Sequence, residues 1–248
     1  MPPPPPLKRD NALFLDFDGT LVEIAQSPDQ VKLDGQLPEL LSALARLLGG
    51  AVAVVSGREL EDLARLLHPF DGPLAGLHGL ERRGANGMVT RPAPVPGLAR
   101  ARALLADFVA GRPGVLLEDK GAALALHFRG APDMADACRA AMRQAASLAG
   151  PELALIEGKM AVELRPRDAD KGKAIAGFLA EPPFRGRQPV FVGDDRTDED
   201  GFAAVNRLGG CSICVGARPD TVARYMIPTV DDVWEWLRKP LRSTLGKG

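Results

Sequence analysis

Asn11-Ala-Leu-Phe-Leu-Asp-Phe-Asp-Gly-Thr20 is a short apolar run that ends in two carboxylates one residue apart and then a glycine. Ala12 to Leu15 show no polar alternation, the pattern of a strand covered on both faces, and in open α/β sheets ligands bind beyond the carboxyl ends of such strands. Asp16 and Asp18 would stand at that end. Two carboxylates held together repel unless a cation sits between them or one keeps a proton, and Gly19 lets the backbone turn tightly beside whatever they hold.

Outward from this stretch the same pattern recurs. Ala51 to Val55 is a second apolar run and ends in Ser56-Gly-Arg58; Pro189 to Val192 is a third and ends in Gly193-Asp194-Asp195. Helical periodicity fills the intervals at 38–48, 59–67, 171–180, 197–206 and 230–237. Short runs at 74–78, 212–215 and 226–228 supply further strands, and 79–91 reads as a hairpin turning on Asn86-Gly87. Ser56 thus meets a helix N-terminus, where a hydroxyl and free backbone N–H groups suit an anion and equally suit a plain N-cap.

Pro92, Pro94 and Pro96 break the pattern and mark a linker. Beyond them helical periods at 98–110 and 133–148 are each followed by a hairpin, 115–118 with 123–128 and 153–157 with 160–164. The order is αββαββ, and both hairpin turns carry Glu-x-Lys, Glu118-Asp-Lys120 and Glu157-Gly-Lys159, as if one unit were used twice. The expected fold is α/β. It has a Rossmann-like parallel-sheet core from 7–96 and 168–248, an inserted α+β cap from 97–167, and a disordered proline-rich lead-in at 1–10.

Composition narrows the function classes. The 248 residues carry 31 basic and 32 acidic side chains, so no overall field favours nucleic acid or an anionic membrane. Cys138, Cys211 and Cys214 lack the second Cys/His pair of a structural zinc site and read as buried free thiols. No run approaches the ~20 apolar residues of a membrane span, and the opening Met followed by five prolines lacks the layout of a secretory signal, which makes the cytoplasm the default. No obligate protein partner is evident.

Three strand ends carrying Asp-x-Asp, Ser and Gly-Asp-Asp, with Lys171 opening the helix after the insertion, suit one reaction. Hard oxygen ligands without histidine or thiolate select Mg²⁺, with Asp16 and Asp194 as carboxylate ligands. A carboxylate can attack phosphorus to give an aspartyl-phosphate, while a second acid protonates the leaving alkoxide and then takes a proton from water. Lys171 and the Ser56 hydroxyl would hold the phosphoryl oxygens.

These four segments, in this order, resemble the haloacid dehalogenase (HAD) superfamily of phosphatases. The resemblance implies Asp16 as nucleophile, Asp18 as general acid/base that also offers its backbone carbonyl to Mg²⁺, Asp194 as a further metal ligand, and Asp195 and Asp198 as supporting carboxylates. Only 40 residues separate Asp16 from Ser56 but 115 separate Ser56 from Lys171, so the cap is of the second, C2 kind. Within that branch the chain is similar to the trehalose-6-phosphate phosphatase family from Leu13 to about Leu237. The matching segments are Leu15-Asp-Phe-Asp-Gly-Thr-Leu-Val22 with Pro28, Val54-Val-Ser-Gly-Arg58, Gly76-Leu-His-Gly-Leu-Glu81, Glu118-Asp-Lys120, Glu163-Leu-Arg-Pro166, Lys171-Gly-Lys173 and Gly193 to Asp200.

That resemblance implies a small sugar-phosphate substrate, with Gly19, Thr20, Arg58 and His78 among its contacts in the core. In the cap, strand alternation places Leu124, Leu126 and Phe128 on one face and His127, with Glu163 and Arg165 of the second hairpin, on the other. Glu118, Lys120, Glu157 and Lys159 at the hairpin tips would complete a ring of sugar contacts. Another sugar-phosphate phosphatase, for sucrose phosphate or mannosyl-phosphoglycerate, is the rival reading. A non-catalytic sensor would not need a nucleophile and an acid pair, and nothing selects a phosphomutase.

Overall fold

The computed structural model describes residues 1–24, 35–93, 95–158 and 160–245, excepting the side chains of 243–245; Pro28, Pro94 and Lys159 lie outside the described residues. Two compact units emerge, Met1–Arg91 with Asp170–Gly248 and Pro92–Ala169. The boundary falls before the prolines because Val95 packs into the small unit's core and accepts the N–H of Leu98.

In the large unit the described residues form one eight-stranded sheet. The central strand is β1 (Asn11–Leu15), flanked in parallel by β10 (Gln188–Gly193) and β2 (Val52–Val55), with Phe14 registered against both Phe191 and Ala53. Next to β10 come β11 (Cys211–Val215) and β12 (Tyr225–Ile227), also parallel, and next to β2 comes β3 (Leu74–Gly76). Only the hairpin β4 (Glu81–Arg83) and β5 (Val89–Thr90) is antiparallel.

The two-residue period of the strands sorts their side chains into two cores. Leu13, Leu15, Val54 and Val192 meet α1 (Leu37–Leu47), α2 (Leu60–Leu67) and α7 (Val230–Leu245). Phe14, Ala53, Val55 and Phe191 meet α5 (Lys171–Leu179) and α6 (Glu199–Arg207) on the other side. There Phe14 stacks on Phe184 at 5.3 Å between centroids and touches Phe178, while Phe191 meets Phe202 at 5.4 Å.

Two sequence expectations need correction here. The proline-rich lead-in is not disordered: Pro2 O accepts from Met226 N of the edge strand β12, Pro5 O accepts from Trp236 Nε1, and Leu7 is buried. A polyproline stretch lacks N–H donors but keeps every carbonyl, which suits it to cap an edge strand. The last helix does not stop at Leu237 but runs through Pro240, because Trp236, Leu237 and Leu241 keep packing on the core across it. All three cysteines are free, and burial pushes the Cys211 and Cys214 thiols up to about 11.

The small unit is αββαββ. Its antiparallel sheet runs β6 (Leu116–Asp119), β7 (Leu124–His127), β9 (Ala161–Pro166), β8 (Leu153–Gly158), with α3 (Leu98–Val109) and α4 (Ala135–Ala149) on one face. Leu124, Leu126, Val162 and Leu164 pack there against Leu105 and Met142. Among the described residues no helix is long and apolar enough to cross a membrane.

Phe14 carries ring contacts on the central strand directly behind the acidic tip. Phe14→Ala is expected to cost about 3–5 kcal/mol and lower the melting temperature by roughly 10 °C. A calorimetric shift under roughly 2 °C would show that this core is not what holds β1 in place.

Candidate active site

The tips of β1 and β10 lie side by side, since Leu15 is registered against Val192 and Asp16 N donates to Val192 O at 2.9 Å. Asp16 and Asp194 therefore leave adjacent strands at the same end. Gly19 lies under Asp194: it has φ +80°, and a Cβ there would fall 2.2 Å from Asp194 Oδ2. Glycine is required for the turn and again for the close approach.

Lys171 is the first residue of α5, whose N-cap Asp170 accepts from Gly172 N at 2.7 Å and Lys173 N at 3.1 Å. The ammonium donates to Asp16 Oδ1 and to Asp198 Oδ1, both at 2.6 Å, and is buried. Asp198 is wholly buried, and its second oxygen accepts Asp194 N and Asp195 N, each at 3.0 Å. Asp195 caps the 3-10 turn Arg196–Asp198 by accepting Arg196 N. Asp198 thus fixes both the lysine and the loop that carries Asp194.

Asp18 stands apart from this cluster. Both its oxygens are held by Arg58, Nε to Oδ2 at 2.7 Å and Nη2 to Oδ1 at 2.8 Å, and Arg58 Nη1 also reaches Asp62 at 2.8 Å. Ser56 lies buried at the tip of β2, and its hydroxyl accepts Arg58 N at 3.2 Å. Behind it, Leu77 and His78 adopt left-handed backbone (φ 48° and 57°) and donate their N–H groups to Arg58 O and Ser56 O. Such conformations in non-glycine residues persist only when the surroundings impose them.

Two expected substrate contacts are buried. His78 packs its ring on Gly57, where any Cβ would come within 2.7 Å, so it supports the Ser56 turn. Thr20 is fully buried, and its hydroxyl has no hydrogen-bond partner. Arg218 and Glu199 are residues that sequence reading missed: Arg218 donates to Asp194 O at 3.4 Å and pairs with Glu199 at 3.2 Å. Arg218 follows the apolar strand Cys211–Val215, so the strand-tip rule applied above would have pointed to it.

In the small unit five side chains form a chain in which basic and acidic groups alternate. His127 Nε2 meets Glu118 at 2.7 Å, Glu118 meets Lys120 at 3.8 Å, Lys120 meets Glu163 at 3.2 Å, and Glu163 meets Arg165 at 3.9 Å. Burial pushes the Glu118 carboxyl up, but the His127 hydrogen bond and the Lys120 charge bring it below its ordinary value. Glu157 does not join them. It is registered against Val162, on the helix-covered face, and accepts from Arg139 Nε at 3.1 Å.

The charge balance of the large unit's cluster is one-sided. Oxygens of Asp16, Asp194 and Asp198 lie within 4.8 Å of one another around a single ammonium. Burial and then the neighbouring Asp198 charge raise Asp16 well above the carboxylate range and push Asp194 to about 7. Burial alone would lower the Lys171 pKa, but Asp16 and Asp198 more than reverse it. One oxygen of Asp194 is buried with no hydrogen-bond partner. An all-oxygen set with surplus negative charge and an unsatisfied acceptor fits a hard divalent cation, held by Asp16 and Asp194, since both Asp198 oxygens are engaged.

The sequence pattern of the trehalose-phosphatase family matches residues 14–227. The chain is 45% identical over 234 residues to trehalose-6-phosphate phosphatase of Escherichia coli, covering 94% of this chain and 87% of that protein. It is 47% identical over 221 residues to a probable trehalose-phosphate phosphatase of Sinorhizobium fredii, covering 89% and 83%. Among solved structures, a trehalose-6-phosphate phosphatase related protein superposes with TM-score 0.80 at 28% identity over 95% of this chain and 99% of that one. A HAD-superfamily phosphatase of Bacteroides thetaiotaomicron shares the fold at TM-score 0.59 and 17% identity, over 93% of each chain.

The raised carboxyls make a linkage prediction for metal-free protein. Between the ordinary carboxylate value of about 4 and about 7 for Asp194 the folded state binds more protons than the unfolded one, so stability falls as pH rises through that window. In chelator, Asp194→Asn should match wild type near pH 4 and melt several degrees higher at pH 8. Parallel melting profiles across that range would refute the strained acid cluster.

Proposed function

The chain belongs to the trehalose-phosphatase family, and from that premise we propose that it hydrolyses trehalose 6-phosphate to trehalose and phosphate through an aspartyl-phosphate on Asp16, with Mg²⁺ as cofactor. The observation that carries the mechanism is the Lys171 bridge, which fixes the Asp16 carboxylate through its Oδ1 at the tip of β1. When bound, Mg²⁺ supplies charge neutralisation between the Asp16 and Asp194 carboxylates and the phosphoryl group.

In the first step Asp16 Oδ2 forms a bond to phosphorus as the bond from phosphorus to the sugar oxygen breaks, and Asp18 gives that oxygen its proton. In the second, Asp18 takes a proton from water, whose oxygen attacks phosphorus and releases the Asp16 carboxylate. Lys171 directs two of its three N–H bonds at Asp16 and Asp198, so the third is available to a phosphoryl oxygen. The Ser56 hydroxyl accepts from Arg58 N and keeps its own proton to donate. Sugar recognition falls to the His127, Glu118, Lys120, Glu163 and Arg165 chain, whose donors and acceptors alternate as a disaccharide's hydroxyls require. A cytoplasmic location, consistent with three free cysteines, is part of the same proposal.

Phosphate release from a panel of sugar phosphates tests the substrate directly. Trehalose 6-phosphate should lead it, and preference for sucrose phosphate or mannosyl-phosphoglycerate would replace the substrate while leaving the chemistry. Asp16→Asn should abolish turnover with the fold intact; Asp18→Asn should give a burst without turnover, and near-wild-type rates in either would overturn the assignment. Undiminished activity in chelator would remove Mg²⁺.

Glu163→Ala should lower turnover of trehalose 6-phosphate by roughly two orders of magnitude while sparing p-nitrophenyl phosphate, which asks nothing of the small unit. Equal losses on both substrates would make Glu163 a structural residue.

A further inference from the structure

The opening residues Met1-Pro-Pro-Pro-Pro-Pro-Leu7 are held by the large unit at a regular spacing. Met226 N donates to Pro2 O at 3.1 Å, and Trp236 Nε1 donates to Pro5 O, three residues on, at 3.0 Å. Consecutive prolines fix φ near about −65° and push each preceding residue out of the helical region. What remains is polyproline II, a helix of about three residues per turn and ~3.1 Å rise, so the Pro2 and Pro5 carbonyls recur on one face roughly 9 Å apart.

The two donors come from different elements and both need an acceptor. Met226 belongs to β12, the last strand of the sheet, where an outward N–H is otherwise left to solvent. Trp236 of α7 is only 6% exposed, and a buried indole N–H has to find a partner. Leu7 is buried in the same core as Trp236 and anchors the end of the segment. Aromatic side chains lining a groove are the general means of holding a proline-rich segment, because its helix is preformed and gives up little entropy on docking. Pro2 and Pro5 themselves are exposed, so this groove reads the spacing of carbonyls and not the rings.

We propose that Trp236 and the outer edge of β12 form a polyproline-binding site, and that its occupant in this protein is the chain's own Pro2–Pro6. Once docked, the segment offers no N–H to a further strand, so the same contact ends the sheet.

The test is a thermal double-mutant cycle in the full chain. Trp236→Phe removes the donor; glycine in place of each of Pro2 to Pro6 keeps every carbonyl but loses the preformed helix. Trp236→Phe should lower the melting temperature by roughly 5 °C in the native sequence and by about half as much in the glycine variant, since the packing loss is common to both and the lost bond is not. Added in excess to the glycine variant, the peptide Met-Pro-Pro-Pro-Pro-Pro-Leu-Lys should raise its melting temperature saturably, and it should leave the variant that also carries Trp236→Phe unmoved. Equal Trp236→Phe losses in the two backgrounds overturn the site, as does a peptide that shifts neither variant or shifts both alike. A mass that doubles with concentration in the native chain but not in the glycine variant overturns the intrachain occupant and seats the lead-in of a second copy there.

Discussion

The bridge from the Lys171 ammonium to Asp16 and Asp198 is the constraint on which the site depends. It joins three separate pieces of chain: the tip of β1, the N-terminus of α5 and the turn that opens α6. Asp198 spends its other oxygen on the backbone of Asp194 and Asp195, so one buried carboxylate positions the lysine and the acidic loop together. Removing one member of such a set leaves the others charged and desolvated, which is why buried ionic clusters fail as a unit. The two bonds from Asp198 to successive backbone N–H groups also explain why Gly193 has no side chain, since a Cβ would lie 2.4 Å from the Asp198 carboxyl carbon.

The scaffold brings these pieces together by a simple rule. Parallel strands place their carboxyl ends on one edge, and the sheet order sets β1 between β10 and β2. Asp16, Ser56 and Asp194, up to 178 residues apart in the chain, are thereby neighbours in strand order. The inserted unit needs no strand from this sheet. Its four strands close on one another, with β7 and β9 of the two αββ repeats meeting at the centre.

Patterns that repeat within ten residues were legible from sequence, and pairings across long separations were not. The apolar run before Asp16 gave the buried central strand, and the prolines after Arg91 lie where the two units part. Asp198 was expected as a supporting carboxylate only through the resemblance, because nothing local tells which of five carboxylates turns inward. The grip of Arg58 on Asp18 spans 40 residues. Glu157 was misplaced for a different reason: reading it as a hairpin-tip residue ignored the alternation that puts it beside Val162. The lead-in looked disordered because composition shows its missing donors but not the edge strand that uses its carbonyls.

The two units treat charge in opposite ways, and the difference bears on what each can bind. The large unit gathers the buried Asp16 and Asp198 and the half-buried Asp194 beside one ammonium, and the surplus appears in the raised Asp16 and Asp194 carboxyls. Such a site is relieved by a cation, and a phosphoryl group then finds positive charge instead of three acids. In the small unit, by contrast, base and acid alternate from His127 to Arg165, and each carboxylate is flanked by basic groups. A balanced chain attracts neither cation nor anion strongly, but it offers fixed donors and acceptors in turn, which is what neutral hydroxyls need.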